Sequence, residues 1–327
     1  MYKVQRFWSN ISFETIIFKT KSCYNDGEVI IMKKMSSFKA DMILLLVAIL
    51  WGTTFVTSKF SLEELGPFTI ISMRFILAVF FMCIIFRKHI KHINTNDILG
   101  GAIVGSVLFI AFSTQLIALK YTNPGKQAFL AGTYVIFVPF LVWGVTKKRP
   151  DTKSFIGAFA CMIGIALLTL KSGLSISYGD SLTLFSSVFF ALHILTTGHF
   201  VKKSTPVKIT IVQFATVAVL STVTALLFEG VPTQLSPGIT IGILYLGILC
   251  TGLAYFLQTF GQNYTKSTHT AIILSLEAVF GSLLSIIFMK EVFTPIMILG
   301  CMIIFASVLI IELKGSQESE EVIEQAN

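Results

Sequence analysis

The stretch Gln115-Leu-Ile-Ala-Leu-Lys-Tyr121-Thr122 is echoed 143 residues later by Gln258-Thr-Phe-Gly-Gln-Asn-Tyr264-Thr265. The same offset superposes Ala128 on Ala271 and Gly157 on Gly300 without a gap, and an offset of 139 pairs Asp41 with Asp180 and Thr57 with Thr196. Each match is weak alone, but their common order divides the chain into two similar halves. Around these anchors lie apolar runs joined by short turns such as Gly66-Pro67, Asn123-Pro124-Gly125 and Pro237-Gly238. A helix needs about 20 apolar residues, at roughly 1.5 Å each, to cross a hydrocarbon core of roughly 30 Å. Runs of that length fall near 42–60, 68–86, 97–119, 126–144 and 154–171 in the first half. In the second half they fall near 180–201, 209–228, 239–262, 267–289 and 293–312. The expected fold is an all-α integral membrane protein with ten transmembrane helices.

Five crossings per half is an odd number, so two halves of similar sequence enter the membrane from opposite sides and form an inverted repeat. The expected organisation is a basic N-terminal tail (1–41), a first repeat (42–171), a second repeat (180–312) and an acidic tail (313–327). When inverted halves exchange conformations, a cavity open on one side becomes open on the other. The symmetry therefore points to alternating access, with a substrate held between the halves near the midplane.

The composition agrees with a membrane location. Of 327 residues, 54% are hydrophobic and 13% charged, against roughly a quarter charged in an average soluble chain; mean hydropathy is +0.81. Too few charges exist to cover a soluble globule, which excludes an ordinary cytosolic enzyme, a nucleic-acid binder and a disordered protein. The net charge of +8 reads as a topology signal. Most of the 25 Lys and Arg, including Arg87, Lys88, Lys91, Lys147, Lys148 and Arg149, fall on segments that are cytoplasmic if the N-terminus is. Both termini are thus expected in the cytoplasm of a multi-pass plasma-membrane protein. The first 34 residues do not resemble a signal peptide. Met32 is a candidate translation start, because the codons for Gly27-Glu28-Val29 can form a ribosome-binding site. The alternative is a basic tail resting on the membrane through Trp8, Ile16, Ile17 and Phe18.

Several segments resemble the EamA family of the drug/metabolite transporter superfamily. In the first half these are Trp51-Gly52-Thr-Thr-Phe55, Ser58-Lys59, Pro67, Arg74, Tyr121-Thr-Asn-Pro-Gly125-Lys-Gln-Ala128 and Phe137-Val-Pro139. In the second half they are Tyr264-Thr265, Leu276-Glu277, Lys290-Glu291 and Gly300. The resemblance runs from about residue 40 to 312 and implies two inverted five-helix EamA repeats. It also implies cytoplasmic termini and secondary transport, often efflux, of small metabolites, amino acids or drug-like solutes. Two positions depart from the pattern: Ala278 stands where similar proteins usually carry Pro, and Lys147-Lys148 replaces an acidic residue.

Among candidate functional residues, Glu277 stands out. It lies 11 residues beyond Lys266, about 16 Å along a helix and close to mid-membrane. A carboxylate there costs several kcal/mol or more unless it is protonated, paired or hydrated, which makes it a candidate proton-coupling group. Thr270, Glu277, Gly281 and Ser285 form a small polar stripe, so the carboxylate is expected away from lipid. The repeat mate of Glu277 is Tyr134, a phenol able to stack or donate a hydrogen bond. Gln115 and Gln258 are also repeat mates and suit a zwitterionic or amide-bearing solute, unless they serve only as interhelical glue. Trp51 and Thr54 on the first span, His193 on the sixth and Tyr255 on the eighth complete the expected substrate cavity, with Phe112, Phe137 and Phe190 as aromatic candidates. His193 titrates near neutral pH in water and is a second proton-coupling candidate, although a packed histidine is the plainer reading. Arg74 is expected to hold a substrate carboxylate or Glu63 or Glu64 at an outer gate, or to serve in a structural pair or by snorkelling, and Lys59 to be a membrane-edge anchor in preference to a gate charge.

No HExxH, GxSxG, P-loop or CxxC motif occurs, so no catalytic residue, metal or cofactor is expected. The expected partners are a small-molecule substrate, the lipid bilayer and, if transport is coupled, protons; nothing points to nucleic acid, and no oligomeric state is assigned. The leading expectation is a secondary transporter that exports small metabolites, amino-acid-like or drug-like solutes. The alternatives are a membrane-bound enzyme acting on lipid or isoprenoid substrates, and a channel or lipid-translocating protein.

Overall fold

The computed structural model describes residues 37–312 apart from 148, 150–151, 170–176, 231, 233 and 266. The candidate start at Met32, the residues proposed to rest on the membrane and the acidic tail lie outside the described residues. Every regular element among the described residues is helical: α1 Ser37–Ser61, α2 Pro67–Ile85, α3 Arg87–Ile90, α4 Thr95–Leu119, α5 Pro124–Gly132, α6 Tyr134–Thr146, α7 Thr152–Thr169, α8 Tyr178–Phe200, α9 Pro206–Phe228, α10 Pro237–Tyr245, a π-helical segment Leu246–Leu253, α11 Ala254–Gln262, α12 Ser267–Ser275, α13 Glu277–Met289 and α14 Pro295–Glu312. Each of the ten apolar runs read from the sequence overlaps one of these helices or a contiguous set of them. Seven are long and apolar enough to cross a membrane: α1, α2, α4, α5 with α6, α8, α9, and α10 through α11. Three shorter apolar stretches, Phe155–Leu167, Ile273–Met289 and Pro295–Ser307, make up the rest.

The helix starts are written locally. α2, α5, α9 and α10 each open on proline at the first turn, where a missing N–H costs nothing and the fixed φ already suits a helix. α4 opens on a capping box, in which the Asn94 side chain accepts from Asp97 N and Asp97 accepts from Asn94 N, both at 2.9 Å. α8 opens on Ser177, whose hydroxyl accepts from Asp180 N at 3.2 Å. α6 and α13 both end on a lysine in the left-handed region, Lys147 at φ 59° and Lys290 at φ 51°.

The two halves pack in equivalent ways. α4 against α8 is matched by the π segment and α11 against α1; α9 against α4 by α2 against the π segment; and α13 against α1 by α6 against α8. α7 pairs with α14, which the 143-residue offset superposes on it. Small residues let backbones approach where helices cross. A Cβ on Gly105 would lie 2.7 Å from the Gln213 carbonyl, and one on Gly52 would lie 3.0 Å from the backbone nitrogen of Gly281. One hydrophobic cluster, with Phe75, Phe112, Phe214 and Tyr255 edge-on or tilted against one another, fills the centre.

Candidate functional site

Two helices that read as continuous in the sequence are interrupted at corresponding places. Between α5 and α6, Thr133 N donates to Leu130 O (3.3 Å) and Ile136 N to Thr133 O (3.0 Å). Between α12 and α13, Leu276 N donates to Ile273 O (3.2 Å) and Val279 N to Leu276 O (3.0 Å). Every residue of the second set is 143 beyond its counterpart in the first. Pro139 inside α6 lacks the N–H that would reach Val135 and so weakens the first helix beyond its break. The second has no proline near its break, and Ala278 stands just past it. The breaks face each other: a Cβ on Gly132 would lie 3.3 Å from Ala278 Cβ. Directly after each tightened turn comes a polar side chain, Tyr134 in one half and Glu277 in the other, at the start of the next helix.

Both side chains line one central cavity, with Trp51, Thr54, Gln115, His193, Tyr255 and Gln258 around them. All eight residues named from the sequence as cavity candidates therefore lie together. About 30 Å³ of the cavity is open to the centre of a water-sized sphere. That corresponds to room for about two waters and is far less than a solute requires. Trp51 and Tyr255 stack with ring centroids 4.5 Å apart, and Trp51 Nε1 donates to Cys250 O at 3.1 Å. Phe112 and Phe190 add aromatic wall at 5.6 Å from each other, whereas Phe137 lies outside the lining.

The polar atoms facing this space are only partly satisfied. Tyr134 Oη lies beside the Glu277 carboxylate and is buried without completing a hydrogen bond. Gln258 donates to Gln262 Oε1 at 3.0 Å and leaves its own Oε1 buried without a partner. Glu277 takes part in neither ion pair found among the described residues. Its place at the start of α13 sets its charge against the positive end of that helix. His193 is held by Gln213 Oε1 at 3.0 Å and Thr197 Oγ1 at 3.3 Å.

Arg74, expected at an outer gate beside Glu63 or Glu64 or in a structural pairing, is 1% exposed and lines the same cavity as Glu277. Its Nε donates to Thr251 Oγ1 at 2.8 Å, and its guanidinium sits 4.6 Å from the centroid of Phe112. Thr251, in the π-helical segment, donates its own hydroxyl to Leu246 O (2.7 Å), which leaves the same oxygen to accept from Arg74. Glu63 is exposed, and Glu64 accepts from Ser236 N at 3.0 Å; these hydrogen bonds hold the Glu64 carboxyl below its ordinary value. The Lys59 amine donates to Leu119 O (2.6 Å) and Thr122 O (3.1 Å) and so caps the end of α4.

Sequence reasoning passed over several charged contacts at the helix ends. Lys126 Nζ meets Asp180 Oδ2 at 2.5 Å, with Thr122 donating to Asp180 Oδ1 at 3.0 Å. Glu229 accepts from the N-terminus of α2 through Phe68 N (3.0 Å) and Thr69 N (2.7 Å). At the opposite ends of the helices, Asp97 pairs with Lys208 at 3.1 Å and accepts from Ser204 Oγ. Asp180 was visible in the sequence as a repeat match, but its partner was not, because Lys126 reads there as a loop charge. Cys83, Cys161, Cys250 and Cys301 form no disulfide, and no cluster of metal-binding side chains occurs among the described residues.

A family model described as "EamA-like transporter family" matches this chain twice, over residues 38–170 and 177–313. A protein of Archaeoglobus fulgidus named "Uncharacterized transporter" is 32% identical over 275 residues, covering 84% of this chain and 86% of that protein. "Uncharacterized transporter YyaM" of Bacillus subtilis is 26% identical over 285 residues, covering 82% of this chain and 92% of its own. A solved crystal structure superposes with a TM-score of 0.66 at 16% identity, covering 86% of this chain and 99% of that one, and so shares the fold.

Proposed function

Because this chain belongs to the EamA-like transporter family and is a multi-pass membrane transporter, we propose that it carries a small amphipathic solute, amino-acid-like or drug-like, by alternating access. The observation that carries this reading is the pair of helix breaks at 143-related positions, which touch and direct Tyr134 and Glu277 into one cavity. Interrupted helices in corresponding places of two halves are how membrane transporters expose polar groups at depth without leaving backbone unsatisfied in lipid. The equivalent packing of the halves supports ten crossings in two inverted five-helix repeats, residues 42–171 and 180–312. The distribution of Lys and Arg supports cytoplasmic termini in a plasma membrane.

Arg74 and Glu277, of opposite charge when both are ionised, line one chamber and do not pair with each other. Each bare charge at that depth costs several kcal/mol, so a substrate group or a proton that neutralises it binds with that much more drive. Gln115 and Gln258 offer both donors and acceptors, and Trp51, Phe112 and Tyr255 offer flat apolar surface. Export is the direction we assign, with Glu277 as the proton-coupling group and His193 as its alternate.

Reconstitution in liposomes tests the reading. Saturable counterflow of a solute, found first by untargeted analysis of medium from overexpressing and deletion cells, supports it. Product formation or flux that does not saturate would overturn it in favour of a lipid-active enzyme or a channel. For coupling, Glu277→Gln is expected to preserve solute exchange and abolish uptake driven by a proton gradient; unchanged gradient-driven uptake would remove Glu277 from that role.

A further inference from the structure

The left-handed caps at Lys147 and Lys290 are 143 residues apart, so the two halves end α6 and α13 in the same way. The residues just beyond the two caps differ in chemistry. After Lys290, Glu291 folds back over its own helix, and its Oε2 accepts from Ser285 Oγ at 2.5 Å and from Gly125 N, at the start of α5, at 2.9 Å. A Cβ on residue 125 would lie 2.7 Å from that oxygen, so the carboxylate seats closely against the glycine and a side chain there would shift it. One residue further on, Lys126 pairs with Asp180. The first turn of α5, in the first half, is thus gripped by two carboxylates of the second half, with the positive charge of Lys59 acting on Glu291.

Glu229 on the N-terminus of α2 and Glu64 on Ser236 N tie the halves together at this same end of the molecule. The position related to Glu291 by the 143-residue offset is Lys148. A lysine accepts no hydrogen bond from a helix N-terminus and is repelled by its positive end. Lys148 itself lies outside the described residues, and its chemistry alone enters the comparison.

We propose that Glu291 is a one-sided latch: seated on the α5 N-terminus beside the Lys126–Asp180 pair, it holds the cavity shut at the end where α1 finishes. No equivalent acceptor stands at the related position of the other half, so the transporter rests closed on this face, which the positive-inside orientation makes the outer one. The inference rests on the alternating-access reading.

The test uses Thr54→Cys in a chain whose five native cysteines are replaced, probed with a membrane-impermeant thiol reagent added to either face of vesicles of known orientation. In the parent, labelling from the outer face is expected to be slow. Glu291→Gln is expected to speed it about fivefold or more, and Lys148→Glu, which supplies the missing acceptor, to slow labelling from the inner face by a similar factor. If Glu291→Gln does not fold, as judged by size-exclusion profile, Ser285→Ala, which removes one of the donors that hold Glu291, is read instead and is expected to speed outer-face labelling. Folded variants labelled at parental rates from both faces would overturn the latch while leaving the transport reading intact. Labelling from neither face in any variant would overturn both.

Discussion

Arg74 and Glu277 illustrate how far a single residue can be placed from sequence. The burial of Glu277 was legible because its polar stripe marked the face that turns inward. Arg74 was not, because depth along α2 does not disclose that a π-helical segment on a neighbouring helix supplies an acceptor and an aromatic face. The guanidinium offers a rigid fork, whereas a lysine ammonium is a compact charge on a flexible stem. Arg74→Lys is therefore expected to weaken solute binding about tenfold, or about 1.4 kcal/mol, with Arg74→Gln weaker still, as read from the half-saturation of counterflow. Trp51→Phe removes the bond to Cys250 O and is expected to cost about 1 kcal/mol, visible as a lowered melting temperature in detergent.

At the scale of elements, spans were easy to find and their interruptions were not. Apolar composition marks a helix in lipid all round, so no periodicity remains to reveal a broken turn. Pro139 gave a hint in one half, while the break at Leu276 carries no breaker residue and is visible only as the repeat of its partner. The same holds for the π segment, whose extra residue leaves no trace in hydropathy. Glycines at helix crossings give the sharpest test. Gly105→Val places a side chain against the Gln213 carbonyl, 2.7 Å from where the new Cβ falls, and is expected to abolish folded yield on size exclusion. Gly144→Ala, which meets nothing within 4 Å, is expected to leave yield unchanged. Gly132→Val pushes on Ala278 and is expected to reduce transport more than yield, because it forces apart the two breaks that build the cavity.

For the whole molecule, the duplication and the charge scarcity carried most of the architecture, since both are properties of sequence that folding cannot rearrange. The ties between halves were hidden, because an ion pair such as Lys126–Asp180 joins residues from different repeats that look like unremarkable helix-end charges in isolation. Removing one partner leaves the other bare and buried, so Asp180→Asn is expected to cost about 3–5 kcal/mol, and the double variant Lys126→Met with Asp180→Leu to recover much of it in thermal unfolding. Orientation is checked separately: a fluorescent protein joined after residue 312 is expected to glow, and alkaline phosphatase inserted between α1 and α2 to be active.

The pairing of α7 with α14 joins corresponding helices of the two repeats. Neither helix contributes to the cavity lining, and a Cβ on Gly164 of one would lie 2.8 Å from the Gly300 carbonyl of the other. Since each is the counterpart of the other, the contact is a seam between the halves that needs no continuous chain to form. The two halves, expressed as separate genes, are therefore expected to recover each other in the membrane through it.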